Sequence, residues 1–121
     1  MTNTFYIEIT PYNGKIWRFP LPLDQLLVGR SPNRCGLVID DPRVSRIHVR
    51  ITRSLDFGVT VTEMYSANGS TLDGHALPSG IAISWLIEQT VVVGSTSLIL
   101  RYGKLPDASL EEINAVSEAS A

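Results

Sequence analysis

The apolar residues before residue 105 occur only in short runs, and this pattern limits the possible fold more than any other feature of the chain. Phe5, Ile7 and Ile9 alternate with polar neighbours, as residues on one face of a β-strand do. Turn-forming residues such as Asn13-Gly14 and Gly94-Ser95 separate these runs. Because helix-length periodicity is absent here, the pattern predicts an all-β, antiparallel β-sandwich rather than a βαβ fold.

The sequence predicts about ten strands, and the Asn13-Gly14 and Gly94-Ser95 pairs each predict a tight hairpin. In such a sandwich the loops lie at the ends of the sheets, where they can present ligand-binding groups. The predicted strands are Thr4–Thr10, Lys15–Phe19, Gln25–Val28, Gly36–Ile39, His48–Thr52, Val59–Glu63, Ser70–Leu72, Ile81–Ser84, Thr90–Val93 and Thr96–Tyr102.

The chain of 121 residues is long enough for one domain with its own core, which we predict over residues 1–104. Residues 105–121 differ in character, because they carry four acidic residues and no basic one. Within them, Ser109-Leu110-Glu111-Glu112 resembles an N-terminal capping box and predicts a short C-terminal helix. This segment is expected to be an acidic tail that frames the edge of the domain or a linker, and we favour a linker that joins the domain to the rest of a larger protein.

Composition excludes several classes of protein. The content of 44% hydrophobic and 18% charged residues is typical of a soluble globular domain. Cys35 is the only cysteine, which excludes an intrachain disulfide and a multi-cysteine metal site and is compatible with the reducing cytoplasm. Neither a secretory signal nor a stretch long enough to cross a bilayer is present. We therefore expect a cytoplasmic protein without a cofactor, a bound metal or membrane insertion.

The net charge of −2 conceals a basic segment. Between residues 30 and 53 there are six arginines and only two aspartates, a local excess of four positive charges. Such a segment suits a small anionic ligand, whereas proteins that bind nucleic acid usually have a more widely basic surface. No aromatic residues that could stack on bases are interleaved with these arginines. Nucleic acid is therefore not an expected partner.

Three polar clusters stand at the ends of predicted strands and carry the candidate binding groups. In the first, Gly29 allows a tight turn and presents Arg30. An arginine is permanently charged, and its planar guanidinium can bind two phosphate oxygens at once. Taken alone, Arg30 also fits an ordinary surface arginine after a turn.

The second cluster is Ser45-Arg46-Ile47-His48. Ser45 can point its hydroxyl outward, and His48 can hydrogen-bond the loop backbone and hold the shape of the loop. A serine and a histidine also match the residue types of a hydrolase, with Asp40 or Asp41 as the orienting carboxylate. Because no nucleophile-elbow pattern accompanies them, we expect no enzyme activity.

The third cluster is Ser66-Ala67-Asn68-Gly69. Asn68-Gly69 is typical of a turn, in which Asn68 can use its own amide. The same amide can instead bind the main chain of an extended ligand, because it offers a donor and an acceptor together. A fixed cation, hydroxyls and an amide are the groups that a receptor for a phosphorylated peptide requires.

With these clusters in this order, the chain resembles the forkhead-associated (FHA) domain, a module that binds phosphothreonine peptides. The resemblance runs from about Phe5 to Tyr102 and rests on Gly29-Arg30, Val44-Ser45-x-x-His48 and Ser66-x-Asn68-Gly69. It implies an FHA/SMAD-like β-sandwich of about eleven strands. It also implies a phosphothreonine-containing protein as partner, with a Ser/Thr kinase or its substrate as the expected source.

The resemblance also implies a role for each residue of the clusters. Arg30 and Ser45 would bind the phosphate, Arg46 would add a donor, and Asn68 would bind the peptide main chain. Arg43 would favour an acidic or polar residue three positions after the phosphothreonine. The remaining residues would shape the loops, and they are Gly29, His48, Ser66 and Gly69.

Four positions depart from the family pattern. Ala67 stands where a threonine or serine often contacts the phosphothreonine, so one hydroxyl is missing. Ser70, Glu63 and Asp73 replace the usual threonine, aspartate and asparagine. The phosphate-binding pair is intact, and phosphoserine is expected to bind more weakly because the family contacts the threonine methyl group.

The alternative hypothesis is an FHA-like interaction domain that binds proteins without dependence on phosphate.

Overall fold

A computed structural model describes residues 2–56 and 58–105 of the protein. In these ranges the chain forms eleven strands and no helix, which confirms the predicted all-β sandwich. The strands are β1 (Thr4–Thr10), β2 (Trp17–Pro20), β3 (Asp24–Gly29), β4 (Leu37–Val38), β5 (Val49–Ser54), β6 (Gly58–Glu63), β7 (Ser70–Leu72), β8 (His75–Ala76), β9 (Ala82–Ser84), β10 (Thr90–Val93) and β11 (Thr96–Gly103).

The strands form two sheets that enclose one hydrophobic core. A six-stranded sheet has the order β2-β1-β11-β10-β7-β8, and a five-stranded sheet has the order β4-β3-β5-β6-β9. Their inner faces supply fully buried side chains such as Ile7, Ile51 and Leu98. Each such side chain contributes roughly 1.5–3 kcal/mol by leaving water. Along strands such as β5 and β11, buried residues alternate with less buried ones, so every second side chain faces the core.

The predicted strands agree closely with those observed. Thr4–Thr10, Ser70–Leu72 and Thr90–Val93 have the predicted bounds, and the ends of the other predicted strands differ by no more than two residues. Strand β8 was not predicted, because His75 and Ala76 are exposed and form no apolar run, unlike Leu37–Val38 of the equally short β4. The predicted C-terminal helix lies outside the described residues. Within residues 2–56 and 58–105, no helix is long and apolar enough to cross a membrane.

The tight hairpin predicted at Asn13-Gly14 is wrong. Strand β1 does pair with β2, but its ladder ends with Ile9 opposite Trp17, and a loop spans residues 11–16. Pro11 has no N–H to donate to this ladder, so the pairing stops before Asn13-Gly14 is reached. Neither Asn13 nor Gly14 has the positive φ that a two-residue turn would need.

Two further pairs of turn-forming residues, Gly94-Ser95 and Asp73-Gly74, connect neighbouring strands. Gly94-Ser95 joins β10 to β11 with Val93 opposite Thr96, which confirms that hairpin. Asp73-Gly74 joins β7 to β8, with φ values of 47° and 83°. These values are those of a type I′ turn, which matches the twist of the paired strands.

The strand directions bring three loops to one end of the sandwich. Val28 at the end of β3 lies opposite Val49 at the start of β5, and Val49 lies opposite Glu63 at the end of β6. The loops that follow β3, precede β5 and follow β6 are therefore neighbours. We call the β3–β4, β4–β5 and β6–β7 loops the recognition loops. They contain the three polar clusters except for Gly29, which is the last residue of β3.

Candidate functional site

Hydrogen bonds between the recognition loops bring the three polar clusters together. The N–H of Arg30 donates to the carbonyl oxygen of Ser45 over 2.9 Å. The hydroxyl oxygen of Ser45 accepts the N–H of Ala67 at 3.0 Å. Asn68 Nδ2 donates to the carbonyl oxygen of Arg43 at 2.8 Å. The clusters are therefore parts of one surface rather than separate turns.

Arg30 is exposed, and a contact with the neighbouring loop orients its guanidinium. Its Nε donates to the carbonyl oxygen of Val44 at 2.9 Å. Neither Nη group has a partner among residues 2–56 and 58–105. One edge of the guanidinium is thus anchored to the backbone, while two nitrogen atoms remain to bind an anion.

Gly29 lies where two loops approach closely. It is buried, and a Cβ at this position would overlap the carbonyl oxygen of Arg46 and lie 2.9 Å from Cys35 Sγ. That carbonyl oxygen also accepts hydrogen bonds from the N–H of Ser31 and the thiol of Cys35, at 3.2 and 3.0 Å. A side chain at residue 29 would therefore separate the β3–β4 loop from the β4–β5 loop.

We expect Gly29→Ala to destabilise the protein by about 1–3 kcal/mol, the usual cost of forcing a methyl group into a packed site. Because the backbone carbonyl of Arg46 must move away, the variant should also present Arg30 and Ser45 in altered positions. Urea unfolding measures the first effect. An unfolding midpoint equal to that of the wild type would contradict the close approach.

His48 is fully buried and joins two recognition loops through its ring nitrogens. Nδ1 accepts the N–H of Ser45 at 3.0 Å, so Nε2 carries the proton that is donated to the carbonyl oxygen of Gly69 at 2.9 Å. Both ring nitrogens are therefore engaged with the backbone. His48 cannot act as a general base on the Ser45 hydroxyl, and the pair does not form the dyad of a serine hydrolase.

The Ser45 hydroxyl is prepared to donate a hydrogen bond. Its oxygen accepts the N–H of Ala67, so its proton is directed elsewhere. No acceptor for that proton is found among the described residues. An oxyanion near Arg30 would satisfy it.

Four of the six arginines between residues 30 and 53 lie on the recognition loops. They are Arg30, Arg34, Arg43 and Arg46, and all four are exposed. Arg43 Nη1 donates to the hydroxyl of Ser95 at 3.3 Å, whereas the Arg46 side chain has no partner in residues 2–56 and 58–105. The other two lie on β5, and Arg53 donates to the carbonyl oxygen of Leu21. The recognition loops therefore carry only four of the six arginine charges that lie between residues 30 and 53 in the sequence.

The Asn68 side-chain amide connects two recognition loops and is not used within its own turn. Its Nδ2 donates across to the Arg43 carbonyl and not within its own turn, while its exposed Oδ1 has no described partner. Gly69 follows with a φ of 74° and gives its N–H to the Ser66 hydroxyl at 3.0 Å. The turn is therefore held by Ser66, which leaves the Asn68 side chain to connect loops.

Asp41 organises the β4–β5 loop, a role that the sequence did not indicate to us. Its buried carboxylate accepts the N–H groups of Arg43 and Ser95 at 2.9 and 2.8 Å and the Thr96 hydroxyl at 3.0 Å. Burial alone would raise the pKa of this carboxyl, but these three donors outweigh it and hold the pKa below its usual value. The Asp41-Pro42-Arg43 order was the available signal, because aspartate often accepts an N–H two residues on.

Glu63 plays the equivalent part beneath the β6–β7 loop. Its buried carboxylate accepts the N–H and the hydroxyl of Ser66, the hydroxyl of Ser70 at 3.0 Å and that of Ser79 at 3.2 Å. Burial raises the pKa of Glu63, yet the bonds from Ser66 and Ser70 outweigh it and lower the pKa overall. Glutamate in place of the expected aspartate therefore occupies a complete hydrogen-bonding site.

These two carboxylates predict a loss of stability in acid. The folded state lowers both pKa values, so folding favours the ionised forms. Their contribution is present above the ordinary values of 3.8 for Asp41 and 4.5 for Glu63, and it is lost as the pH falls through the lower pKa values of the folded protein. Below about pH 5 the free energy of unfolding should decrease as the pH falls, and this decrease should be less steep in Asp41→Asn. Parallel pH profiles for the two proteins would contradict this assignment.

Comparison with known proteins places this arrangement in a family. The family model of the FHA domain matches residues 26–92, more than half of the chain. No curated protein sequence matches the chain. Among solved structures, the FHA domain of the CT664 protein from Chlamydia trachomatis is 24% identical with a TM-score of 0.72, and the match covers 81% of this chain and 96% of that one.

Two further structures contain a bound partner. The FHA domain of MEK1 in complex with a phosphothreonine peptide of HOP1 is 20% identical with a TM-score of 0.64, and the match covers 78% of this chain and 94% of that one. The FHA domain of FhaA, complexed with the intracellular domain of Rv3910, is 17% identical with a TM-score of 0.64, and the match covers 81% and 100%. At these identities the likeness shows a shared fold, and with the family match it establishes that the chain belongs to the FHA domain family.

Proposed function

We propose that the protein binds phosphothreonine peptides at the recognition loops, as a non-catalytic adaptor in Ser/Thr-kinase signalling. The observation that carries this proposal is the pair formed by Arg30 and Ser45. Both are tied to the loop backbone by one side-chain atom, and both retain donor hydrogens without a described partner. Preorganised donors of this kind lose little freedom when an anion binds.

The phosphate group fits the chemistry of this pair. A phosphothreonine carries a charge of about −1.5 to −2 near neutral pH and three strong acceptor oxygens. Arg30 binds two of these oxygens through its free Nη groups, and the Ser45 hydroxyl donates to the third. Exposed Arg46, next to Ser45, adds a further positive charge.

The peptide main chain is assigned to Asn68. Its Oδ1 accepts a peptide N–H, while its Nδ2 is held by the Arg43 carbonyl. This bond also connects Asn68 to the loop that carries Arg43, the residue proposed to select an acidic or polar side chain three positions after the phosphothreonine. Gly29, His48, Ser66 and Gly69 act through the loop geometry described above.

Selection from peptide libraries tests the proposal. One library fixes a central phosphothreonine between degenerate positions, a second fixes phosphoserine and a third fixes unmodified threonine. We expect enrichment from the first, weaker enrichment from the second and none from the third. Equal retention from the phosphothreonine and threonine libraries would favour an FHA-like domain that binds partners without dependence on phosphate, and would refute the proposal.

Ala67→Thr should strengthen binding of a selected phosphothreonine peptide. The substitution adds a hydroxyl beside Ser45, and a further hydrogen bond to a charged group is worth about 1.5–3 kcal/mol. Because residue 67 is exposed, the new side chain does not need to enter the core. Calorimetric titration measures the gain, with Ala67→Val as the control that adds volume but no hydroxyl. Equal affinities of the threonine and valine variants would contradict the prediction.

A further inference from the structure

Tyr65 is an exposed aromatic residue in an unfavourable backbone conformation, directly before the third polar cluster. Its φ is 55°, in the left-handed region that bulky residues rarely adopt. Its side chain is 76% exposed, so burial in the core does not compensate for this conformation. Strained residues of this kind are concentrated at ligand-binding sites.

The surroundings of Tyr65 give the ring a defined position. The Glu63 carboxylate accepts the N–H of Ser66 at 3.0 Å, and the Glu63 carbonyl accepts the N–H of Gly80 at 2.8 Å. The ring lies against Gly80, where a Cβ would overlap the Tyr65 hydroxyl and lie 3.1 Å from Cζ. An aromatic side chain that is already ordered before binding loses little entropy when a ligand contacts it.

The order of strands places Tyr65 on the side of the site away from Arg30. The five-stranded sheet runs β3, β5, β6, β9 across the recognition end. Arg30 follows β3, Ser45 belongs to the loop before β5, Tyr65 follows β6, and Ile81 precedes β9. From Ser45 towards β9 the exposed residues include three apolar ones, which are Ala67, Tyr65 and the 55% exposed Ile81.

We propose that Tyr65 is a specificity-determining residue, which binds an apolar side chain next to the phosphothreonine in the peptide. This inference rests on the proposed function. A peptide whose phosphate is bound by Arg30 and Ser45 extends over Ala67, and the side chain on that side meets the Tyr65 ring and Ile81. An apolar or aromatic side chain buries surface there, whereas a charged one would lose water without gaining a partner.

Two variants of Tyr65 and one control variant distinguish the effect of the Tyr65 ring on binding from the effect of its backbone conformation. Tyr65→Gly removes the ring and suits the positive φ, so the fold should be retained or stabilised. Tyr65→Phe keeps the ring. Leu55→Ala removes an apolar side chain that is 88% exposed in the β5–β6 turn, at the opposite end of the sandwich. Each variant and the wild type are taken through selection from the phosphothreonine library.

We expect the wild type, Tyr65→Phe and Leu55→Ala to enrich apolar residues at one position flanking the phosphothreonine, and Tyr65→Gly to lose that preference. The affinity of the selected peptide should fall about two- to tenfold in Tyr65→Gly, as for the loss of one aromatic contact. An unchanged preference in Tyr65→Gly would overturn the inference while leaving the proposed function intact. Absence of phosphate-dependent binding by the wild type would overturn both.

Discussion

Arg30→Ala is expected to reduce the affinity for a selected phosphothreonine peptide by about one to two orders of magnitude. The variant loses the only guanidinium among the described residues that is anchored to the β4–β5 loop with both Nη groups unpartnered. A hydrogen bond to a charged group contributes about 1.5–3 kcal/mol, which corresponds to this range of affinity. Calorimetric or fluorescence titration measures the effect.

Two matched variants make the result specific. Arg30→Lys keeps the charge but not the planar pair of donors, so its affinity should lie between those of the wild type and Arg30→Ala. Arg50→Ala removes an arginine from strand β5 and should bind as the wild type does. If Arg30→Ala and Arg50→Ala weaken binding equally, the effect comes from net charge, and the role assigned to Arg30 is wrong.

Asp41→Ala is expected to destabilise the folded protein by about 3 kcal/mol or more. The substitution leaves the partly buried N–H groups of Arg43 and Ser95 and the buried hydroxyl of Thr96 without their acceptor, and each unsatisfied donor costs roughly 1–3 kcal/mol. For a domain of this size the Tm should fall by roughly 10 °C or more. Thermal unfolding followed by circular dichroism measures this change.

The neighbouring Asp40 supplies the control. It is exposed, so Asp40→Ala should change the stability by no more than about 0.5 kcal/mol. Because the two variants lose the same charge, a difference between them isolates the buried hydrogen bonds. Equal Tm values for Asp40→Ala and Asp41→Ala would refute the organising role of Asp41.

Local pattern was sufficient to predict most of the fold. Alternation in Thr4–Thr10 predicted a strand with the observed bounds, because the period of two follows directly from strand geometry. The short run of Thr90–Val93 did the same, because its valines favour strands. The Asn13-Gly14 hairpin failed because the pairing of β1 with β2 ends before that turn. Where a ladder ends depends on residues in two strands, and no single segment contains that information.

The candidate site could be predicted in its residue types but not in its connections. Arg30, Ser45 and Asn68 were identified from their clusters, and the structure brings them onto one surface. The acceptor roles of Asp41 and Glu63 were missed, since their donors include Ser95 and Ser79, which lie far along the chain. The contact of Asn68 with the Arg43 carbonyl likewise depends on how two loops pack together.

Tyr65 illustrates a further limit. Its type and its place before Ser66 are plain in the sequence, but neither predicts a φ of 55° or a ring packed on Gly80. The strain becomes visible only in three dimensions. For this reason the inference about peptide specificity depends on the structure, whereas the expectation of phosphothreonine binding was already available from the sequence.

The most direct test of phosphothreonine recognition is a titration of isotopically labelled protein followed by proton–nitrogen NMR correlation spectra. A phosphothreonine peptide from the selection should shift the backbone N–H signals of Ser45, Ala67 and Asn68 and the Nε–H signal of Arg30, and the same peptide after phosphatase treatment should shift none of them. Equal shifts with both peptides, or shifts confined to residues away from the recognition loops, would contradict phosphate capture by Arg30 and Ser45.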